Sequence, residues 1–239
     1  MTLYVGTSGY AYKEWKPDFY PPEVPQSKFL EHYGRMLTAC EINATFYRLQ
    51  SDATLLRWAE AVPESFRFAT KAHRWLTHAK TLAPDAERRG FLDTFVRSVS
   101  LLGPRLGVVL FQLPRHRKRD DKELGALLDA LPAEVPFAFE FREDSWAVPD
   151  IAARIAERGG AMCVSETEGK VPEALPPGPF AYIRLRSVRY SRAARRGWCE
   201  LLRRESTQRD VYAFVKHEGV PATDSYGGVG LAQWLATTL

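Results

Sequence analysis

Hydrophobic and polar residues alternate strictly over residues 137–142, whose sequence is FAFEFR. Because successive side chains of a β-strand point to opposite faces, the three phenylalanines share one face, and Ala138, Glu140 and Arg142 share the other. Charged side chains are almost never fully buried unless they are paired or used. The pattern therefore predicts a barrel strand, with phenylalanines under helices and charges near the open end of the lumen.

Seven further segments along the chain have strand-like patterns, and helical patterns separate them. The predicted strands cover residues 3–9, 40–43, 66–71, 107–114, 137–142, 161–165, 180–186 and 211–216. Apolar residues spaced three and four apart predict helices over 27–37, 51–62, 85–102, 120–131, 151–158, 191–204 and 229–236. Ser27 and Ser51 are predicted N-caps. The proline-rich run 171–179 is predicted to lack a helix, and a long loop is predicted after residue 71.

Strands that alternate with helices form parallel βαβ units. Eight such units within 239 residues predict a TIM-type (β/α)₈ barrel that forms one domain over residues 1–239. A doubly wound open sheet is the alternative. It is disfavoured because polar residues follow nearly every predicted strand, whereas that fold gathers its site at one switch point.

The same two-residue period places charged or polar side chains at the carboxyl end of most strands. This set comprises Glu41, Asn43, Lys71, Glu140, Arg142, Arg184, Arg186 and Lys216. Active sites of TIM barrels lie at this end. The first strand ends in the small residues Thr7 and Ser8, and the fourth ends near Gln112, so these three are predicted to contact a ligand.

Chemical roles follow from the residue types. Glu41 and Glu140 are predicted to act as acid or base, with Lys71 lowering the pKa of the carboxylate it approaches and Arg142 beside them. The cations after the last two strands, Arg184, Arg186 and Lys216, are predicted to bind phosphate. The alternative is a salt-bridge network in the lumen that only neutralises itself.

Composition changes this picture little. The chain has 33 Lys or Arg residues against 29 Asp or Glu and a net charge of +4, which permits an anionic partner without demanding one. Its three cysteines lack metal or redox spacing and predict reduced thiols in a cytoplasmic protein. No secretion signal or long apolar span is found, so no membrane association is predicted. No cofactor or metal is predicted.

Several motifs in order resemble those of domain-of-unknown-function family 72, the YecE-like proteins. They are YVGTSGY at 4–10, FYP at 19–21, EINATFY at 41–47, FRFATK at 66–71, LFQLP at 110–114, FEFR at 139–142 and YIRL at 182–185. The resemblance covers nearly the whole chain. It implies an eight-fold barrel distantly like the sugar-isomerase and apurinic-endonuclease barrels, and a ligand contact for His78, but it supplies no reaction.

The chain also departs from the family pattern in its second half. Ser165 and Glu166 stand where the family often has an aspartate, Arg186 and Ser187 replace a typical histidine-glycine pair, and Lys216 and His217 replace an asparagine pair. These changes either disable part of the mouth or adapt it to a more anionic ligand.

Three functions are therefore considered. The first is a hydrolase, lyase or isomerase that acts by carboxylate acid/base chemistry on a small anionic substrate, phosphorylated and sugar- or nucleotide-like. Tyr12 and Tyr47 are candidate stacking surfaces for its ring. The alternatives are a metal-assisted phosphodiesterase acting on nucleic acid, and a non-catalytic nucleic-acid binder that uses the basic runs 115–119 and 192–196.

Overall fold

Eight parallel strands close into a barrel in sequence order in the computed structural model, which describes residues 1–238. The strands are β1 Leu3–Ser8, β2 Ala39–Ile42, β3 Arg67–Lys71, β4 Leu106–Gln112, β5 Phe137–Glu140, β6 Ala161–Glu166, β7 Phe180–Leu185 and β8 Asp210–Val215. Because β1 pairs with β8 and closes the sheet, the fold is the predicted (β/α)₈ barrel and not an open sheet.

Helices follow most strands and cover the outside of the barrel. They are α1 Phe29–Met36, α2 Ala44–Tyr47, α3 Asp52–Glu60, α4 Arg74–Thr77, α5 Ala86–Val99, α6 Asp121–Ala130, α7 Pro149–Glu157, α8 Arg192–Ser206 and α9 Gly228–Thr238. Ser51 caps α3 as predicted, since its side chain accepts a hydrogen bond from the Thr54 amide. As predicted, no helix forms over 171–179.

Three local predictions are wrong. Ser27 does not cap α1, because a 3₁₀ turn over Gln26–Lys28 precedes that helix and places Lys28 at the cap position. The segment after β3 is not all loop, since α4 forms one turn there, capped by the His73 side chain. The helical pattern over 51–62 predicts that Leu56 faces inward together with Leu55, but Leu56 is 46% exposed.

The two faces of the strands separate as the alternation predicts. Phe137 and Phe139 pack outward against apolar residues of α6 and α7, whereas Ala138 belongs to the cluster that fills the lumen. That cluster comprises Tyr4, Ala39, Ala69, Val108, Leu110, Ala138, Ala161, Cys163, Phe180, Tyr182, Tyr212 and Phe214. The lumen is thus a packed core, and polar side chains find room only above it, at the carboxyl ends of the strands.

Within residues 1–238, every helix falls short of the combination of length and hydropathy that crossing a bilayer requires.

Gly6 of β1 lies close to the backbone of β2 at Ala39. A Cβ atom placed on Gly6 would lie 1.8 Å from the Ala39 carbonyl oxygen, which already accepts a hydrogen bond from the Tyr33 hydroxyl. We expect Gly6→Ala to lower the free energy of unfolding by roughly 1–3 kcal/mol, the usual cost of overpacking. Urea denaturation measures it.

Gly90 provides the matched control for that substitution. It lies inside α5, where an added Cβ would meet no atom within 4 Å. Gly90→Ala is expected to stabilise the protein by about 0.5–1 kcal/mol, because alanine is the better helix former. Equal effects from the two substitutions would contradict the close approach at Gly6.

Candidate functional site

An arginine held between two glutamates forms the centre of the barrel mouth. The Arg184 guanidinium donates through Nη2 to Glu41 Oε1 at 2.8 Å and through Nη1 to Glu140 Oε2 at 2.5 Å. All three side chains are almost fully buried, with residue exposures of 3% or less. They come from β7, β2 and β5, and they meet because each occupies a lumen-facing position near the carboxyl end of its strand.

Further donors complete the hydrogen bonding of the two carboxylates. The Tyr182 hydroxyl donates to Glu41 Oε2 at 2.8 Å. Gln112 Nε2 donates to Glu140 Oε2 at 2.9 Å, and Arg142 Nε donates to Glu140 Oε1 at 2.9 Å. Every oxygen of the two carboxylates therefore accepts at least one hydrogen bond, as buried charges require.

This pairing decides the protonation of the glutamates. Burial alone would raise the pKa of Glu140, but the charge of Arg184 and then the contacts from Arg142 and Gln112 outweigh it and lower that pKa to about 2. Burial opposes the ionisation of Glu41 in the same way, and Arg184 and Tyr182 again outweigh it, so the pKa of Glu41 is also lowered. Both carboxylates are thus anionic at neutral pH. The charge that lowers their pKa most is that of Arg184, whereas the sequence predicted this role for Lys71.

Lys71 instead bonds to an amide. Its Nζ donates to Gln112 Oε1 at 2.7 Å and lies 4.2 Å from the centre of the Phe46 ring. Burial, and next the charge of Arg184, lower the pKa of Lys71 to about 8. An amine with this pKa can both accept and donate a proton near neutral pH, as general acid–base catalysis needs.

A cavity of about 560 Å³ opens above β5, β6, β7 and β8. Its cationic lining residues are Arg115, Arg142, Arg186 and Lys216, and its acidic ones are Glu140, Glu143, Asp144 and Glu218. Glu140 is already paired with two arginines. The other three acids, Glu143, Asp144 and Glu218, lie on loops and are exposed or half-buried.

Arg186 lies half-buried in the lining of this cavity. Its Nη1 donates to Ser8 Oγ at 3.0 Å, and the structure gives it no salt bridge within residues 1–238. Burial and the neighbouring charge of Arg184 lower the pKa of Arg186. A half-buried guanidinium without a carboxylate partner is a favourable place for a ligand anion.

The other predicted binding residues divide into two groups. Ser8 contacts Arg186, and Tyr12 lies beside them, donating to the Ser8 carbonyl oxygen at 2.7 Å and stacking on His217 with 4.0 Å between ring centres. The Thr7 side chain points away from the lumen, because its hydroxyl lies 2.9 Å from the Tyr33 hydroxyl on the helix side of β1. Thr7 therefore cannot contact a ligand in the lumen.

The remaining members lie over the opposite side of the mouth. Asn43 is at the start of α2 without a side-chain cap bond, Tyr47 is 68% exposed at its end, and the exposed His78 packs edge-on against Phe46 at 5.1 Å. They do not line the 560 Å³ cavity. Lys216 does line it, and so does Ser165, one of the departures from the family pattern.

Sequence reasoning overlooked three contributors. Tyr182 precedes Arg184 by two residues, so the two-residue period already placed it on the same face, one level deeper in the lumen. Arg115 reaches the cavity from the loop after β4, and Glu218 from the loop after β8. No strand period signals such loop residues.

Metal binding finds little support in the residues described. Within residues 1–238 no three His, Cys, Asp or Glu side chains converge as metal ligands do. Glu41 and Glu140 carry the negative charge of the mouth, and both are engaged by Arg184.

Comparisons with known proteins agree with the motifs. The family described as "Protein of unknown function DUF72" matches residues 4–226. UPF0759 protein YunF of Bacillus subtilis is 28% identical over 152 residues, which is 62% of this chain and 53% of that protein. UPF0759 protein YecE of Escherichia coli K12 is 30% identical over 131 residues, 54% of this chain and 47% of that protein. The matched part of the chain thus spans about half the length of these curated relatives.

Solved structures share the fold. A DUF72 family protein from Thermotoga maritima has a TM-score of 0.78 at 21% identity and covers 100% of this chain and 99% of its own. D-psicose 3-epimerase from Clostridium cellulolyticum, solved with D-tagatose, has a TM-score of 0.58 at 11% identity, with 98% and 90% covered. Both likenesses are of the barrel alone. With the match over residues 4–226, the chain belongs to the DUF72 family of proteins of unknown function.

Proposed function

We propose that this protein is an enzyme that binds a small anionic compound, phosphorylated and sugar- or nucleotide-like, in the cavity above β5, β6, β7 and β8. The observation that carries the proposal is that Arg186 and Lys216 face one cavity whose floor carboxylate, Glu140, is already paired with Arg184 and Arg142. A ligand anion would therefore meet cations whose charge the floor does not cancel.

Size and geometry suit such a ligand. A volume of about 560 Å³ lies within the range of small-molecule sites. Arg186 offers a planar fork for two phosphate oxygens, and Lys216 offers a point charge, which its 3.6 Å contact with the exposed Glu218 offsets only weakly. In TIM barrels, the loops after the seventh and eighth strands frequently hold a phosphate.

The proposed chemistry is proton transfer, with roles that differ from those the residue types first indicate. Lys71 is the group whose pKa suits it, and Gln112 links its amine to Glu140 on the cavity wall. Glu41 and Glu140 act in this scheme by holding Arg184 in place, since both are ionised and fully hydrogen-bonded. The epimerase neighbour shares only the fold with this chain, so its sugar ligand does not identify the substrate.

The phosphodiesterase alternative has less support. It needs carboxylates or imidazoles free to hold a metal ion, whereas the two buried glutamates of the mouth are held by Arg184 at 2.8 and 2.5 Å. Metal analysis of the purified protein and a DNA-nicking assay test that alternative directly.

Ligand-induced thermal stabilisation tests the favoured proposal. A panel of inorganic phosphate, ribose 5-phosphate, glucose 6-phosphate and AMP is expected to contain at least one compound that raises Tm in a concentration-dependent way. Arg186→Ala is expected to weaken the apparent affinity at least tenfold, because it removes a charge-assisted contact of about 1.5–3 kcal/mol.

Arg196→Ala is the matched control, since it removes an exposed arginine of α8 outside the cavity lining. It should leave the response unchanged. Equal stabilisation of the wild type, Arg186→Ala and Arg196→Ala by every active compound would reject the cavity as the binding site.

A further inference from the structure

Cations predominate in the loops after β2, β3 and β4. Segments 43–50, 71–84 and 113–119 contain no Asp or Glu and eight Lys or Arg residues: Arg48, Lys71, Arg74, Lys80, Arg115, Arg117, Lys118 and Arg119. The whole chain is nearly balanced, with 33 cations against 29 anions. We call this surface the β2–β4 loop face. Its charge is therefore a local concentration and not a property of the whole protein.

Direct contacts make the three loops continuous. His78 of the second loop packs against Phe46 of the first at 5.1 Å, and Arg117 Nη1 of the third donates to the Lys80 carbonyl oxygen of the second at 2.7 Å. Two shallow depressions, of about 530 and 460 Å³, share His78 and Ala79 in their linings. Together they form one groove along the face, whose lining includes the acidic Asp120 and Glu123 and shares no residue with that of the 560 Å³ cavity.

The cations of this face divide by their contacts. Lys71 donates to Gln112 in the mouth, Arg117 is bonded to the carbonyl oxygens of Ala79 and Lys80, and Arg119 is paired with Asp121 and Asp150. These three are therefore already engaged. Five others are exposed and make no salt bridge within residues 1–238: Arg48, Arg74, Lys80, Arg115 and Lys118. These five are available to an anionic partner.

Two exposed aromatic rings lie among these cations. Tyr47 is 68% exposed, and Trp75, which borders the groove, is 37% exposed. Trp75 packs edge-on against Phe91 at 4.8 Å, which holds the indole in place while part of it remains open to solvent. Open aromatic rings beside unpaired cations are the combination with which proteins bind single strands, since bases stack on the rings and phosphates lie on the cations.

We propose that the β2–β4 loop face binds single-stranded nucleic acid, with its phosphates on the five free cations and its bases stacked on Tyr47 and Trp75. The Asp and Glu side chains of an acidic peptide would use the cations but offer no base-sized ring to stack on the two aromatic residues. A duplex keeps its base faces stacked inside the helix and offers no free base for the two rings to stack on. The charge and the rings together therefore favour a single strand over both.

Fluorescence anisotropy with a labelled 12-nucleotide oligothymidylate tests this proposal in the full-length protein. Binding is expected to weaken steeply between about 50 and 200 mM salt, because phosphate contacts release counterions. Tyr47→Ala and Trp75→Ala are each expected to weaken it about tenfold through lost stacking. Arg74→Ala should weaken it and also reduce the salt dependence by about one phosphate contact.

Matched controls lie on other surfaces. Leu56→Ala removes an exposed apolar side chain of α3, and Arg196→Ala removes an exposed cation of α8. Neither should change oligonucleotide binding. Arg186→Ala, which is designed to disable the small-anion cavity, should also leave it unchanged, so the two proposals fail or succeed independently.

Three results would overturn the proposal: no oligonucleotide binding at low salt, equal affinity for a duplex of the same length, or full binding by both ring variants. The proposal would also be overturned if poly-glutamate competes as strongly as unlabelled oligonucleotide does, because that outcome means a general preference for anions. Weaker binding by Arg196→Ala than by Arg74→Ala would show that the oligonucleotide binds at α8 and not at the β2–β4 loop face.

Discussion

Arg184→Met is expected to lower the free energy of unfolding at pH 7 by about 3–5 kcal/mol, the usual cost of breaking a buried ion pair by removing one partner. Arg184 donates to both Glu41 and Glu140, and its removal leaves two buried carboxylates near each other without their shared cation. Urea denaturation at pH 7 measures the loss.

The pH dependence of that loss is the sharper measurement. In the wild type, the pKa of Glu140 is lowered from 4.5 to about 2, so its stabilising contribution is present above 4.5 and is lost as the pH falls toward 2. In Arg184→Met, burial acts with much less opposition and should raise both glutamate pKa values above 4.5. The variant should therefore gain stability relative to the wild type as the pH falls from 7 to 4.

A charge-matched variant separates the missing ion pair from the altered packing. Arg184→Met combined with Glu41→Gln and Glu140→Gln removes all three charges, so it should recover part of the stability at pH 7 and lose the pH dependence. A constant gap between Arg184→Met and the wild type over pH 4 to 7 would show that the glutamates do not depend on Arg184.

The barrel itself could be predicted because its signal is repeated. Eight apolar segments separated by helical patterns leave few topologies, and the two-residue period correctly assigned Phe137, Phe139 and Ala138 to their faces. Helix ends were harder to predict from the sequence, because they depend on local geometry. The 3₁₀ turn before α1, which displaced the expected cap at Ser27, has no periodic signature.

The composition of the mouth could be predicted, but its pairing could not. The strand period gathered Glu41, Glu140 and Arg184 at one end of the barrel, and they do meet there. Which cation forms ion pairs with the two carboxylates depends on the stagger of the strands and on the length of the side chain. Arg184 lies between the two, whereas Lys71 on β3 reaches the amide of Gln112 on the neighbouring β4.

Thr7 and Ser8 are adjacent on β1, so the two-residue period allows only one of their side chains to face the lumen. As a small polar residue at the end of β1, Thr7 was expected to contact a ligand, but Ser8 is the residue of that pair that reaches Arg186, and the Thr7 hydroxyl lies within 2.9 Å of the Tyr33 hydroxyl. Thr7 and Ser8 both carry a hydroxyl, so residue type does not show which of them faces the lumen. The strand register, in which Ser8 pairs with Glu41, shows that it is Ser8.

The Lys71 amine is expected to carry far more of the deprotonated form at pH 7 than an ordinary lysine. Its pKa is lowered from 10.5 to about 8 by burial and then by Arg184. At pH 7 this difference corresponds to a roughly 300-fold larger neutral fraction. Competitive acetylation followed by mass spectrometry, repeated from pH 6 to 11, should give Lys71 a labelling midpoint near 8. The exposed Lys118 serves as the internal reference.

The lowered pKa of Lys71 also destabilises the folded protein, and this argues for a role of Lys71 in function. Because the folded pKa lies below the unfolded one, the protein binds fewer protons at Lys71 than the unfolded chain does, so stability should rise as the pH increases from about 8 to 10.5. Lys71→Met should lack that rise. Residues that destabilise a fold while holding a perturbed pKa are concentrated at functional sites. A midpoint near 10, with equal pH dependence of stability in wild type and Lys71→Met, would remove Lys71 from the proposed proton transfer.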